Sequence, residues 1–180
     1  MNPEIDTQQG RPAMTMILET ERLRLFELTV EDAGFVFRLV GDPDFRTHIG
    51  DKGIRTLDDA RRFLGTGPWT NQPRPGYGQF RVELKDTGES AGICGLLYRE
   101  RLDASDVGFA LLPAFRGRGF AFEAAAATMA YGRKTLGIER IVALTSHENL
   151  PSIRLLEKLG MRFEKTVHMS DSDPGTALFA

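Results

Sequence analysis

A basic turn that contains two glycines separates an apolar run from an alanine-rich run in this sequence. Residues 107–112 predict a buried strand, and Pro113 ends it because proline has no N–H for a sheet ladder. The turn at residues 116–119, Arg-Gly-Arg-Gly, leads directly into a predicted helix. The first N–H groups of a helix have no intrahelical acceptor and carry the positive end of its dipole. Glycines allow close approach and arginines add charge, so the turn is predicted to bind phosphate or pyrophosphate.

Two well-known phosphate motifs do not fit this turn. The P-loop requires Gly-Lys followed by Ser or Thr, and the sequence contains no such triplet. The dinucleotide fingerprint requires a third small residue where Phe122 stands, and a first glycine nearer the strand. The pattern Arg-x-x-Gly-x-Ala does fit, at Arg116, Gly119 and Ala121. It resembles the acyl-CoA loop of the GCN5-related N-acetyltransferases (GNATs). An ordinary solvated arginine turn is the alternative interpretation.

Composition restricts the class of protein. The chain has 180 residues, enough for one domain with a sizeable core, and its formal net charge of -2 argues against a general nucleic-acid binder. Its single cysteine, Cys94, lies in an apolar run and is predicted to be a buried structural thiol. No run of about 18 apolar residues predicts a membrane span, and no secretory signal begins the chain. We therefore expect a cytoplasmic protein that does not bind membranes.

The N-terminal half predicts strands and helices that could form one wall of a substrate groove. Residues 1–16 are expected to be a flexible tail, and residues 17–180 one domain. His48 and Trp69 lie in irregular segments of that wall, where they either contact substrate or only pack. The predicted elements are a strand at 22–28, a helix capped by Thr29 and Asp32 and ended by 41–43, an irregular stretch at 44–55, a helix at 57–64 capped by Thr56, a loop at 69–78, a hairpin of 79–85 with 90–99, and a connection at 100–106.

The C-terminal half predicts a parallel crossover. The helix after the glycine turn should run to about residue 136, and a buried strand follows at 139–145. Asn149 is expected to cap a short helix that Gly160 ends. Residues 161–168 and 176–179 should form a closing pair of strands. The fold class is therefore mixed α/β, a single domain with a central sheet of about seven strands flanked by about four helices.

A second motif supports the resemblance. Residues 149–161 contain Asn149-x-x-Ser152, followed by Glu-Lys-Leu-Gly-Met, and are similar to the Asn-x-x-Ser…Glu-Lys-Leu-Gly-Phe segment of GNATs. Residues 18–25 resemble the start of the GNAT branch that acts on ribosomal-protein N-termini. Both motifs and the glycine turn occur in the expected order, so the chain is identified as a member of the GNAT superfamily.

The resemblance implies how acetyl-CoA would bind. In this fold two parallel central strands splay apart, here 107–112 and 139–145, and the pantetheine arm lies between them. Leu111 and Leu112 would pair with that arm through their main chains. The pyrophosphate would rest on the turn and the start of its helix, formed by Arg116, Gly117, Arg118, Gly119, Phe120 and Ala121. Coenzyme A is the implied cosubstrate, and no metal is expected.

The implied reaction is direct acetyl transfer from the thioester to an amine. A backbone N–H near Leu111 could polarise the thioester carbonyl. Many relatives protonate the leaving thiolate with a tyrosine of the last helix, which this sequence lacks there. In the ribosomal branch the serine of Asn-x-x-Ser serves as the acid and the asparagine contacts coenzyme A, which assigns these roles to Ser152 and Asn149. Counting forward from Ser152 reaches Asp171, the implied base.

Several alternatives stay open at this point. His147 and Glu148 are rival bases, and turn chemistry alone also explains Asp171. A non-catalytic acyl-CoA sensor on the same fold is the alternative to an enzyme, and a nicotinamide-binding domain is a third hypothesis. The acceptor is a small-molecule or peptide amine, selected by loops at 42–55, 69–78 and 171–175. The protein is expected to be a monomer or a homodimer.

Overall fold

One twisted layer of strands organises the chain. The computed structural model describes residues 14–170 and 173–180, and within those ranges it contains eight strands. They are β1 Met16–Glu19, β2 Leu23–Glu27, β3 Gly78–Leu84, β4 Ser90–Arg99, β5 Ala104–Leu111, β6 Ile141–Thr145, β7 Phe163–Val167 and β8 Thr176–Phe179. Their spatial order is β1-β2-β3-β4-β5-β6-β8-β7, and β5–β6 is the parallel pair in this otherwise antiparallel sheet.

Helices cover both faces of this sheet. The described residues form α1 Ala33–Gly41, α2 Pro43–His48, α3 Leu57–Thr66, α4 Phe120–Lys134 and α5 Leu150–Lys158. Helices α4 and α5 pack on one face, in a core that includes Leu96, Val107 and Leu156. Helices α1 and α3 cover the other face through a second core around Val36 and Ile93. The mixed α/β prediction is confirmed, with one more strand and one more helix than the approximate counts.

The N-terminal boundary adds the extra strand. The predicted tail covered residues 1–16, of which 1–13 lie outside the described residues. Strand β1 begins at Met16 and pairs with β2 through Leu18 and Leu25. Strand β1 is therefore the additional strand. It lies at the outer edge of the sheet, beside β2.

Two predictions of local structure were wrong, one for residues 44–55 and one for the start of strand β5. Residues 44–55 do not form a wholly irregular stretch, because Pro43 begins α2, and a proline at the first position of a helix loses no hydrogen bond. Strand β5 begins at Ala104 rather than 107. The polar residues Ser105 and Asp106 belong to that strand and are buried, each with a hydrogen-bond partner.

The short-range capping predictions are confirmed. The N–H of Asp59 donates to Thr56 Oγ1 at 3.1 Å at the start of α3, and the N–H of Thr29 donates to the Asp32 carboxylate at 2.9 Å. The second pair caps the 3₁₀ turn at Val30–Asp32, which directly precedes α1. Each bond satisfies a backbone N–H at the start of a helix. Cys94 is fully buried as predicted, and burial raises the pKa of its thiol to about 12. This thiol is therefore structural rather than nucleophilic.

Candidate active site

Strands β5 and β6 separate after a short paired stretch. Ser105 pairs with Ile141 and Asp106 with Val142, and the parallel ladder extends no further. Residues 107–111 and 143–145 then border a continuous cleft of 1420 Å³ that extends from α2 to α5. A gap between neighbouring strands leaves N–H and C=O groups available to an extended ligand. The splayed pair therefore has the geometry expected for a strand-like pantetheine arm.

The end of β5 directs one N–H group into this gap. Leu112 donates its N–H to the Ala91 carbonyl at 2.9 Å, on the side of β4. Because successive N–H groups of a strand point to opposite edges, the N–H of Leu111 points to the gap. The Leu112 carbonyl accepts the N–H of Phe115 at 3.0 Å. Both main-chain groups of Leu112 thus have internal partners, whereas the N–H of Leu111 faces the cleft.

The glycine turn presents the start of α4 to the same cleft. Gly117 and Gly119 have φ of +72° and +82°, which non-glycine residues rarely adopt. The N–H of Glu123 donates to the Gly119 carbonyl at 3.1 Å and begins the helical hydrogen bonding. The N–H groups of Phe120 and Ala121 consequently have no intrahelical acceptor, and both residues line the cleft. These features suit a diphosphate at the helix N-terminus.

The guanidinium of Arg116 forms contacts within the protein, although its charge suggested a role in binding phosphate. Its Nη1 donates to Asp44 at 2.6 Å and its Nη2 to Asp42, while its Nε donates to the Leu111 carbonyl at 3.0 Å. The guanidinium therefore connects the turn to the start of α2 and to the end of β5. Arg118 stacks over the Phe120 ring, with its guanidinium carbon 4.8 Å from the ring centroid.

A half-buried acid next to the turn forms an ion pair with Arg22. The Glu123 carboxylate accepts hydrogen bonds from Thr20 Oγ1 at 2.5 Å, from the Arg22 N–H at 2.9 Å and from Arg22 Nε at 2.6 Å. Burial raises the pKa of Glu123, but these hydrogen bonds and the charge of Arg22 outweigh it, so the pKa is lowered overall. Arg22 also donates to the Arg118 carbonyl at 3.1 Å. This ion pair was not predicted from the sequence, although the acid in the first turn of α4 was an available signal for it.

The structure brings Ser152 and Asn149 to the cleft beside α5. Ser152 is half-buried, and its N–H donates to Asn149 Oδ1 at 3.3 Å, which is the predicted helix cap. His147 and Glu148 also line the cleft but are exposed, and His147 Nε2 lies 3.1 Å from Thr166 Oγ1.

The predicted base falls in a segment that is only partly described. Asp171 lies outside the described residues. Its neighbour Asp173 accepts hydrogen bonds from the N–H groups of Met169 and Gly175, at 2.7 and 2.8 Å, and from Thr176 Oγ1 at 3.0 Å. Those bonds lower the pKa of Asp173. Asp173 therefore organises the turn between β7 and β8, as an aspartate in a tight turn commonly does.

Asp106 is a candidate base that the sequence analysis missed. It lines the cleft at the last position where β5 pairs with β6, yet it is only 3% exposed. Burial raises the pKa of its carboxyl, although the charge and hydrogen bonds of Arg99 and the N–H of Leu144 oppose the shift. Asp106 directly precedes the apolar run, and an acid at that border was the available signal. It was assigned to a polar connection instead.

Gln79, Gly95 and Gly108 form a row across three neighbouring strands, and Gln79 and Gly108 line the cleft. Gln79 on β3 pairs with Gly95 on β4, and Gly95 pairs with Gly108 on β5. The Gln79 side chain crosses this row, because a Cβ added to Gly108 would lie 2.8 Å from Gln79 Nε2. Gln79 is 5% exposed, and its Oε1 has no hydrogen-bond partner. The row leaves a polar carboxamide beside the gap.

The two residues of the predicted groove wall are both part of this cleft. Trp69 is buried and packs edge-on against Phe63, with ring centroids 5.0 Å apart. His48 is half-buried, and its Nδ1 has no hydrogen-bond partner. Both residues line the cleft, and Trp69 also packs against its aromatic neighbour. Within 14–170 and 173–180, no cluster of three or more His, Cys, Asp or Glu side chains could hold a metal ion, and no helix could span a bilayer.

Comparison with known proteins assigns the family of this chain. An acetyltransferase (GNAT) domain model matches residues 22–162. The chain belongs to the GNAT acetyltransferase family. This GNAT protein is similar to the uncharacterized N-acetyltransferase YoaA of Bacillus subtilis, with 28% identity over 164 residues that cover 91% of this chain and 92% of YoaA.

Solved structures agree with this assignment. A GNAT-family acetyltransferase from Bacillus anthracis has a TM-score of 0.74 and 26% identity, and the match covers 93% of this chain and 96% of that one. RimL, a ribosomal L7/L12 alpha-N-protein acetyltransferase solved with coenzyme A, shares the fold with a TM-score of 0.76 at 14% identity, covering 91% and 96%. The predicted family is confirmed, and this GNAT protein is an acetyl-CoA-dependent acetyltransferase. The sensor alternative is not favoured.

Proposed function

We propose that this GNAT enzyme moves an acetyl group from acetyl-CoA directly to a primary amine, on a protein N-terminus or a small molecule. The observation that carries the proposal is that the gap between β5 and β6 opens beside the uncapped N–H groups of α4. An extended thioester and a diphosphate can be held together only where both features meet. The enzyme's own main chain supplies both.

The chain positions acetyl-CoA mainly through its backbone. The diphosphate lies against the N–H groups of Phe120 and Ala121, with Gly117 and Gly119 allowing close approach. The pantetheine arm follows the free edge of β5 and pairs with Leu111. Leu112, whose N–H and carbonyl have internal partners, contributes less to this pairing than the resemblance implied. Asn149 contacts the cofactor while it caps α5, since one side chain can do both.

The reaction requires a neutral amine. A lysine-type amine has a pKa of about 10.4 and an α-amine about 7.7–8.0, so a base must accept a proton before or during attack. The amine nitrogen then bonds to the thioester carbonyl carbon, and the N–H of Leu111 stabilises the charge on its oxygen. The C–S bond breaks, and Ser152 gives a proton to the departing thiolate. The proton that the acetylated nitrogen loses restores the Ser152 hydroxyl. The resemblance to the ribosomal branch assigns the role of proton-accepting base to Asp171.

Asp106 is a second candidate for the base. Its raised pKa makes it a stronger proton acceptor than an exposed aspartate, and it lies where the two strands separate. Arg99 holds its carboxylate through two nitrogens, at 2.8 and 2.7 Å, which fixes its orientation. A water molecule between the amine and this carboxylate would complete the proton path.

We further propose that the enzyme acts in the cytoplasm as a monomer or a homodimer. The thiol of Cys94 is buried and free, which suits a reducing compartment. Strand β7 forms the outer edge of the sheet, and Phe163 on it is 54% exposed. An exposed edge strand with an apolar residue is a surface on which two copies could pair.

The direct test mixes the enzyme with acetyl-CoA and a panel of peptides and small amines, and detects the free thiol of coenzyme A. Amine-dependent thiol release, with the acetylated amine identified by mass spectrometry, is the expected result. Binding of coenzyme A without turnover on any amine would support the sensor instead. Protection against heat by NAD, but not by coenzyme A, would support the nicotinamide hypothesis.

A further inference from the structure

The part of the cleft on the α2 side contains a cation without a counter-ion. Lys52 is half-buried, and its Nζ donates to the Ile49 carbonyl at 3.4 Å. The neighbouring acid, Asp51, binds Arg55 and the N–H of Gly53 instead. Among residues 14–170 and 173–180, no carboxylate forms an ion pair with Lys52. A partly desolvated ammonium group without an anion is unfavourable in the free protein.

A second cation adjoins Lys52 in the same part of the cleft. Arg99 also lines the cleft, and burial together with the positive charge of Arg99 lowers the pKa of Lys52. Asp106 neutralises Arg99 through a two-nitrogen contact. Lys52, Arg99 and Asp106 together carry a net charge of about +1. His48 adds a buried Nδ1 that has no hydrogen-bond partner.

Among the residues that the structure describes, this part of the cleft lacks the free carboxylates that a polycationic acceptor would require. A polyamine needs carboxylates at the site that receives its second ammonium group, because like charges repel. Two of the acids that line the cleft are already paired, Asp44 with Arg116 and Asp106 with Arg99, and Glu148 lies at the α5 end of the cleft. The free group is an ammonium, and ammonium groups bind carboxylates and phosphates.

We propose that the amine acceptor carries an anionic group, a carboxylate or a phosphate, and that Lys52 binds this group with Arg99 and His48 beside it. The inference rests on the proposed function, because it names the class of acceptor for the same site. Trp69 and Phe63 line the same cleft and supply apolar surface to it. The amine end of such a molecule then lies toward the gap between β5 and β6, next to Gln79.

The experiment compares acceptors in matched pairs. Amino acids, acidic dipeptides and an aminoalkyl phosphate are each assayed beside the corresponding carboxamide or alcohol, with spermidine as a cationic reference. We expect kcat/KM to favour the anionic member by about tenfold or more, the size of one charge-assisted hydrogen bond. Equal rates for the two members, or a preference for spermidine, would overturn the inference while leaving the acetyltransferase function intact.

Variants assign the preference to Lys52. Lys52→Met should abolish the preference for anionic acceptors, Lys52→Arg should retain most of it, and Lys165→Met on the exposed strand β7 is the control. Calorimetry should give the same affinity for coenzyme A in all four proteins, which shows that the anion belongs to the acceptor and not to the cofactor. An unchanged preference in Lys52→Met, or weaker coenzyme A binding, would contradict the assignment.

A binding measurement that needs no acetyl transfer separates the anion site from the proposed function. Each matched pair is titrated into the protein saturated with coenzyme A, and the anionic member should bind about tenfold more tightly. If no amine is acetylated but this difference persists, the proposed function fails and the anion site stands. If amines are acetylated and the difference is absent, the anion site fails and the proposed function stands.

Discussion

Arg99 contacts Asp106 through Nε at 2.8 Å and Nη2 at 2.7 Å, at the residue where β5 makes its last pair with β6. The Asp106 carboxylate also accepts the N–H of Leu144, beyond the last ladder pair. A side chain thus replaces the backbone partner that the separating strand no longer provides. This explains how the sheet can open at this point without leaving the N–H of Leu144 unsatisfied.

Asp106→Asn should lower kcat/KM by about 10²- to 10⁴-fold if Asp106 is the base, because asparagine cannot accept a proton at neutral pH. Burial raises the pKa of Asp106, so the acid limb of the wild-type pH profile should lie above the ordinary aspartate value of about 3.9. Rates measured from pH 4 to 9 test this. Asp86→Asn, in an exposed turn, is the control. An acid limb that survives in Asp106→Asn and disappears in Asp171→Asn would identify Asp171 as the base.

The same shift predicts a pH dependence of stability. A carboxyl whose pKa is raised in the folded state favours folding most when it is protonated. The difference in unfolding free energy between wild type and Asp106→Asn should therefore be most favourable to wild type below pH of about 3.9, and fall as the pH rises through the raised pKa. Urea unfolding at a series of pH values measures it. A difference that grows as the pH rises would contradict the sign of the shift.

Gly119→Glu should abolish coenzyme A binding, because it adds bulk and negative charge at the start of α4. Gly137→Glu is the matched control, since Gly137 has φ of +67° at the other end of the same helix and no atom near its Cβ position. Both variants carry similar backbone strain, of order 1–2 kcal/mol. Calorimetric titration with coenzyme A should show loss of binding in the first variant only. Normal affinity in Gly119→Glu would refute the placement of the diphosphate.

Ser152→Ala should slow turnover and leave the affinity for coenzyme A nearly unchanged, because the hydroxyl acts on the leaving thiolate. Asn149→Ser preserves a capping oxygen for α5 but removes the amide, whereas Asn149→Ala should also destabilise the protein by about 1 kcal/mol. Steady-state rates, calorimetry and thermal unfolding distinguish these effects. A wild-type rate in Ser152→Ala would remove Ser152 from the mechanism.

Gly108→Ala should raise the KM for the amine more than it changes the affinity for coenzyme A. The added methyl group would lie 2.8 Å from Gln79 Nε2, so the carboxamide must move within the cleft. Gly34→Ala in α1 is the control, because nothing lies within 4 Å of its Cβ position and alanine stabilises a helix by about 0.5–1 kcal/mol over glycine. An unchanged KM in Gly108→Ala would show that Gln79 does not contact the acceptor.

The sequence by itself determined the local structure and the class of the site. Thr56, Asn149 and Gly119 marked the starts of α3, α5 and α4, because a cap depends on residues within one helical turn. The glycine turn between a strand and a helix predicted an anion site for the same local reason. Those signals also sufficed for the family.

Only the tertiary structure decided which side chains meet at the cleft. Arg22 and Glu123 are 101 residues apart in sequence, and Arg116 and Asp42 are 74 apart, so no local pattern could pair them. Asp106 was predicted in a polar connection and Gln79 at the start of a strand, and the packed sheet buries both side chains. Among the described residues Lys52 has no carboxylate partner, because its neighbour Asp51 binds Arg55 instead. Such pairings depend on how distant elements pack, because a charge acts on whatever the fold brings within a few ångströms of it.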